Sequence, residues 1–266
     1  MHATVHYSDV TNNYRTQPAR GEPQGKPTTV ERRVSSRSSS PPAPASHSQT
    51  LDRGLRVLRI LAEHPDGLSV SELAAALDTH RAGVYRSLGP LGDHHLVRRD
   101  DDGRFTLAPG LIELAAGVRP RLREVAEPVL RRLADQLRAT AALTIRDGDE
   151  AVVAMVMPPR EPRLHLTYRA GMRHPLTRGA PGHVLWAAMP PDPDEPAAVA
   201  RARQQGYAVS TGELLPGATG VAAAISAPGN EPEAAISAVW IEGLDPHAVA
   251  TDVVSAAARV ADELRR

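Results

Sequence analysis

Residues 79–91 read THRAGVYRSLGPL. Val84, Leu88 and Leu91 fall at i, i+4 and i+7, so a helix over this stretch places them on one face. Thr79, Ala82, Gly83 and Arg86 point the other way, with Arg81 and Tyr85 at the flanks. The outer face is small and polar, and it carries no acid before Asp93. A helix entering a DNA major groove needs these properties: a buried stripe, little bulk outside, and donors for phosphates and bases. Any amphipathic surface helix can share them, so the flanking sequence decides.

Upstream, Gln49–His64 repeats Leu51, Leu55, Leu58 and Leu61 at helical spacing, with Arg53, Arg56 and Arg59 between them. Thr50 is a candidate cap. HPDG at 64–67 is a turn signal. In LSVSELAAAL (68–77), Ser69 with Glu72 three residues on fits a capping box, and Leu73, Ala74 and Leu77 form the inner side. A short helix, a tight connection and the 79–91 helix make a helix-turn-helix. Downstream, HHLVRRDDDGRFTLAPG (94–110) predicts strands Leu96–Arg99 and Arg104–Leu107, joined by Asp100–Gly103 with its Asp-Gly hairpin signal. A hairpin in this place is a wing. Arg98, Arg99 and Arg104 are its basic residues. Asp100, Asp101 and Asp102 at the tip repel phosphates, so the strands are the candidate contact.

The 266 residues suggest two compact domains, or one large domain and a tail. Formal net charge is zero, and residues 49–110 hold eight Arg against nine acids. DNA binding therefore has to come from local arrangement, not from a global field. Lys26 is the only lysine, so cationic contacts are made by guanidinium groups. Cysteine is absent, which excludes disulfides, thiolate metal sites and cysteine nucleophiles. No apolar run reaches ~18 residues and the start lacks a signal-peptide core, so no membrane partner and a cytoplasmic location are expected. Residues 1–48, with SSRSSSPPAPASHS, read as a weakly basic disordered tail.

The remainder divides into 49–108 as the winged domain, 109–120 as a linker helix opened by Pro109, and 121–266 as a second domain. Arg121–Arg138 is a longer amphipathic helix. AALTIRDGDEAVVAMVM (141–157) is strand, Asp-Gly turn, strand, and RLHLTYRAG (163–171) is a third strand. PLTRGAPGHVLWAAM (175–189) becomes a helix that starts near Gly179–Gly182, and Ala197–Gln205 is another. GYAVSTGE, GATGVAAAIS and EAAISAVWIEG supply further strands. Asp245 and Pro246 open the last helix, to Arg266. The order predicts an α+β fold with a mainly antiparallel sheet.

Taken together, SQTLDRGLRVLRIL, LSVSELAAAL, VYRSLGPL and LVRRDDDGRFTLAPGLIEL, followed by HPLTRGAPGHVLWAA, GYAVSTGELLPGATGVAAAIS and EPEAAISAVWIEG, resemble the IclR family of bacterial transcriptional regulators. The resemblance implies an N-terminal winged helix-turn-helix, a linker helix used in dimerisation, and a GAF-like α+β effector domain. It implies a homodimer or homotetramer on a near-palindromic double-stranded DNA operator, controlled by a small-molecule effector, and repression is the commoner family behaviour. The DNA-facing positions are then Thr79, Arg81, Ala82, Gly83, Tyr85, Arg86, Arg98, Arg99 and Arg104. The effector positions are Ala180, Pro181, Gly182, Ser210, Glu213, Ala218, Gly220, Ser237 and Val239. Two departures stand out. Ala82 and Gly83 replace the family's Ser-Thr pair, which removes two hydroxyls. Pro181 replaces a small residue before the Gly-Lys pair, here Gly182-His183, and proline has no N–H for an anion, leaving Gly182 or the amide of Ala180. Many family effectors are organic acids, and a Gly-rich loop opening a helix suits an anion. The lining has few polar groups, however, with Ser210 and Ser237 its only hydroxyls, which favours an aromatic compound or a lactone.

Two rival classes are weighed. A small-molecule enzyme lacks support: no Gly-x-Ser-x-Gly, P-loop or His-Glu-x-x-His occurs, and the eleven histidines lack metal-ligand spacing. No catalytic residue, cofactor or metal is expected. A partner-binding adaptor with degenerate DNA binding is the other alternative, suggested by Ala82, Gly83 and the acidic wing tip.

Overall fold

The computed structural model describes residues 48–161, 168–226 and 233–266. The tail read at 1–48 lies outside them apart from Ser48. The chain divides between Ala115 and Ala116 into two compact units.

The first unit holds α1 (Gln49–Glu63), α2 (Val70–Ala76), α3 (Arg81–Asp93), β1 (Val97–Arg99), β2 (Phe105–Leu107) and α4 (Gly110–Ala116). Its core joins Val57 and Leu61 of α1, Leu73 of α2, Val84 and Leu88 of α3, and Val97 and Phe105 of the hairpin. Each such aliphatic side chain contributes about 1.5–3 kcal/mol by leaving water. β1 and β2 pair antiparallel, Val97 opposite Leu107. Leu68 and Phe105 exchange backbone hydrogen bonds of 3.0 and 2.7 Å, which ties the hairpin to the α1–α2 turn. The capping box at α2 forms: the Ser69 amide donates to Glu72 Oε2 at 2.7 Å, and the Glu72 amide to Ser69 Oγ at 3.3 Å.

Three readings of this unit change. Ser48, not Thr50, caps α1, its hydroxyl accepting from the Leu51 amide at 3.4 Å. The buried stripe of α1 is Gly54, Val57 and Leu61, while Leu51 and Leu55 are 63% and 52% exposed. The Gly54 side of α1 faces α3, where a Cβ would come within ordinary contact, 4.0 Å, of Leu91 Cδ2. The helix expected over 109–120 ends at Ala116. Arg119 turns left-handed, and Pro120 starts α5 at its first position, where proline's missing N–H is harmless.

The second unit comprises α5 (Pro120–Leu137), β3 (Thr140–Asp147), β4 (Glu150–Met157), β5 (Arg173–Pro175), α6 (Gly179–Ala187), α7 (Ala197–Gln205), β6 (Ala208–Thr211), β7 (Thr219–Ala224), β8 (Ala234–Trp240) and α8 (Pro246–Arg265). The strand expected over 163–171 falls mostly outside the described residues, and 168–171 is turn and irregular chain. The six strands run β5-β4-β3-β8-β7-β6, every neighbour antiparallel. Alternation sends Leu143, Val221, Ile236 and Ala238 to one face, against Leu130 and Leu133 of α5 and Val253 and Val260 of α8. The opposite face is built of small residues, which lets α6 approach: Ala180, Val184 and Leu185 meet Ala151, Ala208, Ala222 and Ala235. Asp245 caps α8, its carboxylate accepting from the His247 amide at 3.2 Å.

Candidate DNA and effector sites

On α3 the exposed residues are Arg81, Ala82, Tyr85, Arg86, Gly89, Pro90 and, at its end, Asp93. Val84 and Leu88 anchor the other side at 0% and 4% exposure. Arg81, Tyr85 and Arg86 therefore project together from one outer face, next to the small Ala82. Gly83 does not belong there. It is buried, and a Cβ on it would lie 3.2 Å from Thr79 Oγ1 and 3.4 Å from Arg53 Nη1. The missing side chain at 83 leaves room for the Arg53 guanidinium of α1. Thr79 precedes the helix and is half-buried, because α3 starts at Arg81 with His80 as its cap position. Arg53 and Arg56, with Gln49, Asp52, Asp78 and Thr79, line a recess where α1 meets the start of α3. Neither arginine stood out in the sequence. Their spacing of three places both on one side of α1, which is the signal that was available.

The wing arginines differ in what they can reach. Arg98 and Arg99 are exposed; Arg98 Nε donates to Thr106 Oγ1 at 3.2 Å, and Arg99 donates to Gly103 O at 3.4 Å and lies over the Phe105 ring at 5.9 Å. Arg104 is committed inward. Its Nη2 donates to Gly67 O at 2.8 Å and its Nε to Gly67 O at 3.2 Å, and it pairs with Glu72 at 3.4 Å. This guanidinium fastens the wing to the α1–α2 turn, and so corrects its assignment to DNA. The Arg104 and Ser69 contacts together hold the Glu72 carboxyl below its usual range, Ser69 first.

In the second unit a cleft is lined by Tyr168, Pro181, Ser210, Glu213, Leu214, Leu215, Ala218, Gly220 and Val239. Six of the sequence-predicted effector positions meet there: Pro181, Ser210, Glu213, Ala218, Gly220 and Val239. The cleft is shallow and partly open to solvent, and its interior holds about 20 Å³, room for a single water. Leu214 and Leu215 cover it from the loop between Gly212 and Gly217, both at positive φ. Three predicted positions do not line it. Ala180 is fully buried, and its amide donates to Ser210 Oγ at 2.8 Å. Gly182 faces the chain before α6, where a Cβ would meet Leu176 O at 2.7 Å. Ser237 is wholly buried beneath the cleft, opposite Ala142 in the sheet.

At the start of α6 the Gly179 and Ala180 amides are both engaged within the chain. The Gly179 amide donates to Glu213 Oε2 at 2.6 Å, and Arg178 holds the Glu213 carbonyl. The cap is therefore an acid from the chain itself, placed where the helix dipole favours negative charge. His183 is 3% exposed; its Nε2 donates to Thr177 O at 3.1 Å, which assigns the tautomer. His174 is also buried, and burial, with Arg178 and His183 nearby, pushes its imidazole below the usual value.

Below the cleft lies a polar cluster that sequence reading missed. Thr144 and Ser237 are 0% exposed and Tyr168 6%. Their three hydroxyl oxygens are buried without a hydrogen bond of good geometry among the described residues. Burial drives the Tyr168 phenol up to about 12, although Thr144 and Ser237 lie near enough to oppose the rise. Tyr168 packs with Ala142, Val153, Ala218 and Val239. A threonine inside the apolar run of β3 was the available signal. A β-bulge between Leu143 and Thr144 marks the same point. Among the described residues no cluster of three His, Cys, Asp or Glu could hold a metal ion.

The family model for the IclR helix-turn-helix domain matches residues 50–101, and that for the bacterial transcriptional regulator IclR C-terminal domain matches 115–198. The HTH-type transcriptional regulator Rv1719 of Mycobacterium tuberculosis is 37% identical over 54% of this chain and 56% of its own length. HTH-type transcriptional regulator TtgV of Pseudomonas putida is 31% identical over 53% and 55%. The chain thus spans about half the length of the curated relatives it matches. Among solved structures, an IclR homolog of Microbacterium hydrocarbonoxydans, complexed with 4-hydroxybenzoate, has a TM-score of 0.70 at 22% identity over 82% of this chain and 99% of that one. The Thermotoga maritima IclR has a TM-score of 0.66 at 22% identity over 83% and 100%. These likenesses share the architecture described above, an N-terminal helix-turn-helix unit and a C-terminal unit with an antiparallel sheet. The chain belongs to the IclR family of bacterial transcriptional regulators.

Proposed function

We propose that the chain is a cytoplasmic DNA-binding regulator whose operator affinity is set by a small molecule bound in the cleft of the second unit. The observation that carries this reading is the outer face of α3, where Arg81, Tyr85 and Arg86 project between a capped α2 and a hairpin that exposes Arg98 and Arg99. A homodimer or homotetramer reads a near-palindromic site with paired α3 helices. Arg98 and Arg99 add contacts from the wing, and Arg53 and Arg56 offer phosphate contacts beside the start of α3. With Gly83 turned inward, base reading falls to Arg81, Tyr85 and Arg86. Effector binding changes the relative placement of the helices and so the affinity, with repression as the outcome. The family and the relatives it matches are regulators, not enzymes. No helix among the described residues is long and apolar enough to cross a membrane.

The test is fluorescence anisotropy on the intergenic DNA beside the gene, measured across a salt series. Binding whose affinity falls steeply with salt supports the reading. Arg86→Ala should weaken it without lowering the unfolding temperature. Absence of salt-dependent binding to any such fragment would favour the adaptor instead, as the acidic wing tip suggests.

A further inference from the structure

We propose that the cleft takes a neutral molecule with an apolar body and one hydroxyl or carbonyl, of the phenol or lactone kind, and rejects the corresponding carboxylate. The inference rests on reading this cleft as the effector pocket, and it names the ligand class.

Three observations converge. The first is the walls. Leu214, Leu215, Pro181, Ala218 and Val239 offer carbon, so most of a ligand's surface must be apolar. The second is the polar cluster behind the cleft. Tyr168 lines the cleft, and behind it Thr144 and Ser237 lie near its phenol, the three buried hydroxyls lacking bonds of good geometry. Buried polar groups in folded proteins are nearly always paired, and an unmet set beside a ligand cleft is the signature of a partner that arrives with the ligand. Hydroxyls both donate and accept, so the set suits a hydroxyl or carbonyl equally. The third is charge. Among the described residues, Glu213 is the only carboxylate of the lining, and no Lys or Arg lines it. Two amides at the start of α6 are engaged, Gly179 by Glu213 and Ala180 by Ser210, and Pro181 has none. Arg178 is bound to the Glu213 carbonyl, and the buried His183 imidazole lies 3.6 Å from the Glu213 carboxylate itself. A ligand carboxylate would enter beside Glu213 with no Lys or Arg of the described lining to meet it. Like charges brought together out of water are strongly disfavoured.

A matched set of probes separates these terms: methyl 4-hydroxybenzoate, its free acid 4-hydroxybenzoate, and methyl benzoate, titrated calorimetrically into the full chain. The neutral phenol should bind at least about tenfold more tightly than the acid, and about tenfold more tightly than methyl benzoate, the equivalent of one hydrogen bond. Tyr168→Phe and Ser237→Ala should each narrow the affinity gap between methyl 4-hydroxybenzoate and methyl benzoate. Glu213→Gln should narrow the gap between ester and acid. Thermal unfolding of each variant checks that it folds. Binding of the acid as tightly as the ester by the natural chain overturns the proposal, as does no binding of the ester up to about 1 mM. An ester preference indifferent to Tyr168→Phe, Ser237→Ala and Glu213→Gln overturns the pocket reading instead, because the ligand then sits elsewhere.

Discussion

Arg104→Ala tests whether a wing arginine is a fastener or a DNA contact. The side chain makes two hydrogen bonds to Gly67 O, at 2.8 and 3.2 Å, and an ion pair with Glu72 at 3.4 Å. Hydrogen bonds from a charged donor contribute about 1.5–3 kcal/mol when buried. The side chain is 37% exposed, so solvent screening reduces this, and the exposed ion pair adds little. The expected loss is about 1–2 kcal/mol, because Gly67 is buried and its carbonyl loses its partner. For a unit of this size that lowers the unfolding temperature by about 5–10 °C. Circular dichroism melts and urea titrations measure it on the full chain. The salt dependence of DNA binding, measured in parallel below the melting range, should keep its slope. Arg86→Ala should do the reverse, reducing the slope by about one phosphate contact without changing the melt. If Arg104→Ala leaves the melt alone and takes about one unit from the slope, the guanidinium lets go of Gly67 to bind DNA, and the fastening argument is wrong.

Other outcomes follow from single contacts. Gly83→Ala should raise stability by up to about 1 kcal/mol through helix propensity, since the atoms it meets are the Thr79 hydroxyl and the flexible end of Arg53. Gly182→Ala should instead destabilise by about 1–3 kcal/mol, because its Cβ meets the Leu176 carbonyl rather than a movable side chain. Burial holds His174 below the ordinary histidine value of 6.5, so under that pH the unfolded chain binds more protons than the folded one. Its contribution is complete above about pH 6.5 and is lost as pH falls from there towards the folded value. His174→Asn should flatten the fall in unfolding temperature between about pH 6.5 and 5, relative to the natural chain.

Local signals in the sequence were legible where the chemistry is local. Ser69 with Glu72, Asp245 before Pro246, and the Asp147-Gly148 turn each satisfy backbone groups within a few residues, and each forms where it was read. The limits of α7, Ala197–Gln205, match for the same reason: Pro196 precedes it and Gly206 turns left-handed after it. Contacts between distant segments were not legible. Gly83 looked outward because glycine carries no sign of which face it belongs to. Only the Arg53 side chain of another helix decides that. The phase of α1 misled in the same way, since Leu51 and Leu55 outweighed Gly54 in the pattern although its side faces α3. Arg104 is separated from Gly67 by 37 residues, and a hydrogen bond to a backbone carbonyl leaves no trace in side-chain pattern. Tyr168 belongs to the cleft only because the chain folds back over Ala142 and Val239.

The narrowness of the cleft implies a threshold of response. A ligand of eight or more heavy atoms needs more room than its interior of about 20 Å³ offers, so Leu214 and Leu215 have to move aside for the ligand to be enclosed. Each is half-buried, and exposing both costs about 2 kcal/mol of apolar contact. That lowers the apparent affinity about 30-fold below what the open cleft would give. Substitutions in this one loop can therefore reset the concentration at which the effector is sensed, while every group that recognises the molecule stays as it is.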